Sequence, residues 1–138
     1  VSKTGNSLLS LTAVAGGVIA ANRFVGFDDN QASAQGQKVK GVAEYAATAA
    51  GQAIAVTAKG TAVVESGGAF AVGDAIISDS QGRAIVGASL AVAAGATAVT
   101  SSAANGSILV GSGGPDFLVG HALQAASAAG QFVEILLK

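Results

Sequence analysis

The sequence contains no cysteine, methionine or tryptophan, one proline and one histidine. Without cysteine there is no disulfide and no thiolate metal site, which leaves the redox compartment open. A lone histidine, His121, cannot build a histidine pair, a triad or a multi-histidine metal centre within one chain, so a structural or surface role is expected for it. Charge is scarce too, at 11% of residues against roughly 25% in an ordinary soluble domain. The cations Lys3, Arg23, Lys38, Lys40, Lys59, Arg83 and Lys138 are scattered, which provides no basic patch to neutralise phosphates, and no nucleic-acid partner is expected. Aromatic residues make up only 4%. Tyr45, Phe24, Phe27, Phe70, Phe117 and Phe132 are too far apart for a base-stacking platform and read as core or interface anchors.

What the chain does have is small apolar residues. Hydrophobic residues reach 51% and there are 20 glycines in 138 residues. One domain is expected, burying roughly two thirds of its unfolded surface, with a core of small side chains and closely approaching backbones. A free monomer with so few charges would be poorly soluble, so partners are expected to cover much of the exterior.

Residues 68–87 show the grammar of the whole chain. An apolar run through Ile76 and Ile77 meets Asp79, Ser80, Gln81 and Gly82, and a second run, residues 84–86, leaves on the other side. This pattern predicts a hairpin, with Gly82 at positive φ and the Asp79 carboxylate bonding the turn backbone. Gly73-Asp74 marks the entry of the first strand. Asn105-Gly106, between Ala98-Val99 and residues 108–110, predicts a second hairpin, followed by a loop over 111–115 and a strand over 117–119. The last strand, from Phe132 to the end, places Val133, Ile135 and Leu137 on one face.

Three segments echo one another: 41–56, 120–135 and, more loosely, 87–99. Each reads as a strand, an Ala-rich connection, a glycine and another strand. Gly51, Gly95 and Gly130 could end short helices, but the Ala runs span only about two turns, below the roughly 12 residues at which isolated helices become stable, and strand-turn-strand is preferred.

The N-terminus divides into a polar tip, residues 1–6, and an apolar stretch, residues 8–21, that follows Lys3 as a signal peptide would. The stretch is shorter than the roughly 20 residues of a membrane span, so no membrane partner is expected. It is expected to be retained, with Val1 exposed by loss of an initiator Met. The expected organisation is an extended arm, 1–14, and a domain, 15–138. Two short strands are expected around Gly16-Gly17, and a polar loop begins at Asp28.

None of the candidate chemistry converges. Asp28-Asp29 and the pair Asp74 and Asp79 are read as turn caps rather than acid-base or calcium groups. Gly111-Ser112-Gly113-Gly114 lacks the Lys-Ser/Thr of a phosphate loop, and Asn105-Gly106-Ser107 is a hairpin turn that happens to match a glycosylation acceptor. No catalytic, cofactor-binding or metal-ligating residues are assigned, and no cofactor or enzymatic activity is expected.

Taken together, these segments resemble the phage capsid cement proteins, a family once grouped as a domain of unknown function and often mislabelled as phage recombinases. The resemblance covers residues 39–138. It is carried by Gly41-Val42-Ala43, Ala49-Ala50-Gly51, Ile54-Ala55-Val56, residues 70–74, residues 76–79, residues 119–123, Ala128-Ala129-Gly130 and Val133-Glu134-Ile135. It implies an all-β fold, a small β-barrel or β-tulip similar to that of lambda-type head decoration proteins. It also implies a structural role on the outer capsid surface, with the major capsid protein and further copies of itself, as a homotrimer, for partners. An adhesion or fibre-tip module is the competing class; it would bind a cell-surface glycan at low copy number.

Overall fold

Short runs of Val, Ile, Thr and Ala bounded by glycine favour strands over helices, and the structure contains no helix among the described residues, 4–87 and 116–138 of a computed structural model. Eight strands follow in order: β1 (Ser7–Val14), β2 (Phe24–Gly26), β3 (Val39–Ala43), β4 (Ala53–Glu65), β5 (Ala75–Ser78), β6 (Ala84–Val86), β7 (Gly120–Ala122) and β8 (Phe132–Leu137). They form one sheet in the order β2-β3-β4-β8-β7-β5-β6, with β1 paired to β4 beside that path. All strand pairs are antiparallel. The Phe24 N–H donates to the Gly82 carbonyl at 2.7 Å and so ties the β2 end to the β5–β6 turn. The sheet is thereby nearly closed into a barrel.

The expected β5–β6 hairpin is present, with Gly82 at φ 72°. Asp79 anchors it: one carboxylate oxygen accepts the N–H of Gln81 and of Arg83, both at 2.8 Å, and the other accepts Arg83 Nε–H at 2.8 Å. Two boundaries differ from expectation. Residues 117–119 are an extended lead-in to β7, with the Val119 N–H already donating to Ile76 O at 2.9 Å, and of the two strands expected around Gly16-Gly17 the first is β1, hydrogen-bonded to the chain's own β4, while the second, β2, begins only at Phe24. The echo at 87–99, the Asn105-Gly106 turn with its second strand, and the 111–115 loop fall outside the described residues, apart from Gly87.

The other two echoes are one structure built twice. β4 is 13 residues long because it is two strands joined end to end. Its first part closes a unit begun by β1, β2 and β3; its second part opens a unit completed by β5, β7 and β8. The registers correspond pair by pair. Val14↔Ala53 recurs as Glu65↔Phe132, Phe24↔Val42 as Ala75↔His121, Val42↔Thr57 as His121↔Leu136, and Ala43↔Val56 as Ala122↔Ile135.

The Ala-rich connections repeat as well. Ile19 and Ala47 exchange backbone hydrogen bonds, and so do Phe70 and Ala126. Gly51 N–H donates to Ala15 O at 2.7 Å, and Gly130 N–H to Ser66 O at 2.8 Å. In each connection a glutamine side chain does what a helix would have done for the backbone: Gln52 Oε1 accepts the Thr48 N–H at 2.7 Å, and Gln131 Oε1 accepts the Ser127 N–H at 2.9 Å. With those donors satisfied and Gly51 and Gly130 turning at φ 87° and 83°, the Ala runs lie flat on the sheet rather than coil.

Each unit has its own core. Ala13, Ile19, Val25, Ala43, Ala47, Ile54 and Val56 fill the first. The matching positions Val64, Phe70, Ile76, Ala122, Ala126, Val133 and Ile135 fill the second. The second core continues into Phe24 and Val42, which point from the far face of the first unit. This shared cluster holds the two units together, each fully buried Val, Ile or Phe contributing about 1.5–3 kcal/mol.

Gly41 and Gly120 occupy the same place in the two units, and at each a Cβ would drive into a backbone carbonyl of the neighbouring strand, that of Thr57 or of Leu136. Either Gly41→Ala or Gly120→Ala should therefore cost about 2–3 kcal/mol in chemical denaturation, since backbone must move to accept the methyl. Gly51→Ala and Gly130→Ala, which meet open space and suffer only the positive φ, should cost about 1–2 kcal/mol. Asp79→Ala leaves a buried turn without its acceptor and should cost about 2–3 kcal/mol, whereas Asp74→Ala, at a more exposed turn, should cost about 1 kcal/mol.

Candidate functional site

Six of the acidic groups, Asp28, Asp29, Glu44, Glu65, Asp74 and Asp79, are used inside the fold. Asp74 caps its turn by accepting the Ala71 N–H at 2.8 Å. The Asp28 carboxyl is held below the usual carboxylate range, chiefly by the Asn30 side-chain hydrogen bond, so it is an ionised loop cap at neutral pH and not a proton donor. Asp29 pairs with Lys40 and Glu65 with Arg23, and Glu44 accepts hydrogen bonds from both Ser10 and Thr57 at 2.7 Å. His121 sits mid-strand on β7 between Ala75 and Leu136, with no acidic or basic cross-strand partner. No cluster of His, Asp and Glu suited to a metal ion occurs among the described residues. The glycine-rich 111–114 loop and the Asn105-Gly106-Ser107 sequence lie outside the described residues.

The distinctive feature of this surface is apolar exposure. β1 presents Leu8, 79% exposed, together with Leu9, Leu11 and Val14, and pairs along one edge only among the described strands. Phe24 and Phe70 are buried, but Phe27 and Tyr45 are 70% and 66% exposed and Phe117 and Phe132 are partly so. Sequence reading placed all six aromatics in a core or an interface without separating the two groups. A charged neighbour does not separate them, since buried Phe24 follows Arg23 as exposed Tyr45 follows Glu44; place in the sheet does for the first pair, because Phe24 begins β2 and Phe27 lies just past its end.

Two depressions mark the exterior. One is polar, with Ser7, Asn22, Glu44 and Thr61 on its walls. The other is largely apolar, walled by Leu11, Phe27, Val39, Ala58 and Leu118 with Lys40 at its edge. In the first, the Thr57 hydroxyl and the Glu44 carboxylate are hydrogen-bonded to each other, and the second is walled mainly by apolar side chains, so what the surface offers is shape, apolar area and unpaired strand edges. That set of properties suits docking.

The comparisons agree. A solved structure described as the head fiber gp8.5 N base in bacteriophage phi29 shares the fold, with a TM-score of 0.62 at 18% sequence identity over 94% of this chain and 93% of that one. No curated protein matches the chain. The family described as phage cement protein matches residues 2–137. With a match that spans nearly the whole sequence and an all-β barrel that offers docking surfaces, the chain belongs to the phage cement protein family and serves as a capsid cement.

Proposed function

We propose that the protein binds the outer surface of a phage head as a homotrimer at three-fold and quasi-three-fold positions, where it bridges major capsid subunits and stabilises the DNA-filled shell. The observation that carries this reading is the exposed apolar surface of a charge-poor barrel, which is costly in a free monomer and favourable in a lattice. No catalytic step is assigned to it. Closed cyclic symmetry matches a three-fold site, and three linked contacts raise occupancy through effective concentration even when one contact is weak.

In the same reading the chain divides into an arm, 1–14, and a domain, 15–138. β1 belongs to the chain's own sheet along one edge, and its other edge carries the backbone groups that an extended capsid strand could pair with. The fold shared with a head fiber base leaves the adhesion reading weakly favoured, and the two differ in copy number: a cement approaches one trimer per three-fold site, whereas a fibre-tip adhesin is present at far fewer copies than the shell protein. Quantitative mass spectrometry of purified particles decides between them.

Heads stripped of the protein should release DNA at a lower temperature than decorated heads. Readdition should restore the transition by roughly 2.7 kcal/mol at a hundredfold excess over the dissociation constant, because the ligand binds the assembled shell and not its dissociated subunits. Equal melting of stripped and decorated heads contradicts the reading. Deletion of residues 1–6, which spares β1, should leave the folded barrel intact and weaken binding to heads; unchanged affinity removes the polar tip from the contact.

A further inference from the structure

The duplication leaves one surface of each unit without the partner its counterpart has. On the first unit, the face opposite the core carries Phe24, Val42 and Thr57, and all three are buried. The counterparts on the second unit are Ala75, His121 and Leu136. Of these, Ala75 is exposed, His121 is half-buried and Leu136 is 45% exposed. The converse holds for the surface that does the covering. Ala62, Val119 and Leu137 of the second unit are buried in the cluster that receives Phe24 and Val42. Their counterparts on the first unit are Leu11, Lys40 and Ala58, and these three line the open apolar groove with Phe27 and Leu118. The second unit's Leu118, Val119, Leu137 and Lys138 form the other wall of that groove, so the molecule carries, on separate faces, the uncovered halves of a junction that it already makes internally.

We propose that a second copy of this chain fills that groove: the Ala75, His121 and Leu136 face of one copy docks against Leu11, Phe27, Ala58 and Leu118 of the next, repeating between chains the contact that joins the two units within one. The partner is a copy of this chain because the internal junction shows which surface such a face fits, and the equivalent surface of the first unit is open along the groove. The contact is heterologous, head to tail, so it closes into a ring only when the rotation between copies allows it. It rests on the homotrimer reading and states which surfaces build the trimer. The polar contacts that lock the internal junction are not reproduced at the ends. Arg23 pairs with Glu65 internally, but the counterparts of these residues are Asp74 and Val14. The contact between chains therefore depends on apolar fit and is the weaker of the two.

Charge placed on either surface tests this in the full chain. Leu136→Arg and Leu11→Glu are both at exposed positions, so each variant should keep the wild-type circular dichroism spectrum. Each should raise the dissociation constant of self-association at least about a hundredfold, because an unpaired charge is then forced into an apolar contact. Native mass spectrometry should show wild type as a trimer and each variant alone as a monomer. Mixing the two should give mixed dimers and no closed trimer, since the intact Leu136 face of the Leu11→Glu copy fits the intact groove of the Leu136→Arg copy at one junction only. Phe27→Asp, on an outward loop, is a second groove variant should Leu11→Glu fail to fold, and it should behave in the same way. A trimer that survives the substitutions, or a mixture that stays monomeric, overturns this interface and leaves the trimer reading standing. A wild-type protein that is monomeric in solution and on heads overturns both.

Discussion

The structure depends on β4 serving two units at once. Its first residues pair with β1 and β3, its last with β8, so a single backbone sets the position of one unit relative to the other. The change-over falls at Gly60, whose φ of 106° accompanies the register shifts in β1–β4 pairing. Beyond that point Asn22 locks the units together, accepting the Glu65 N–H through its carbonyl at 2.9 Å while its side-chain amide donates to Val63 O at 2.9 Å. The Arg23–Glu65 pair, at 2.7 Å and largely shielded from water, adds directional strength where the two units meet. A strand this long would be a liability in isolation; here every part of it is paired on at least one side.

Small residues make that arrangement possible. Gly41 and Gly120 let neighbouring strands approach within the space a methyl would need, and the Ala-rich connections can lie directly on the sheet because their side chains end at Cβ. Larger side chains would lift these connections off the core and open cavities beneath them. The cost is a core with little volume per residue, and it is offset by covering each sheet face twice, once by the unit's own connections and once, for the first unit, by the second. A fold that stabilises itself by stacking like on like leaves its terminal faces apolar as a matter of construction.

Much of this was legible in the sequence, and the limits have physical causes. The β5–β6 hairpin could be read because Asp79 and Gly82 are local signals whose geometry is decided within a few residues. The echo of 41–56 in 120–135 was visible because strand, Ala run, glycine and glutamine recur with the same spacing. The other half of the duplication was not. Ala15 and Ile19 correspond to Ser66 and Phe70, which share backbone hydrogen bonds but little side-chain chemistry, and the Ser66 hydroxyl adds a bond to Ala128 O at 2.7 Å that Ala15 cannot make. β4 likewise reads as two runs, because Lys59 and Gly60 interrupt its apolar pattern at the point where the units meet. Whether the Ala runs were helices or turns was decided by Gln52 and Gln131, side chains that look unremarkable beside the alanines but take the amide protons a helix would have used.

The scarcity of charge follows from the same architecture. When a face is covered by another copy of the same fold, any charge on it must be desolvated and paired across a junction that recurs with different residues each time. Arg23 meets Glu65 inside the molecule, but the equivalent positions at the ends hold Asp74 and Val14, which form no pair. A buried charge without a partner costs more than a neutral side chain in its place. Repetition therefore favours neutral residues on every face that can be stacked. Asp79 and Arg83 pair within one turn, where the pairing is local and travels with the hairpin, while Asp29 reaches from its loop to Lys40 on β3. The composition that first suggested a surface covered by partners is the one that a duplicated, stackable barrel requires.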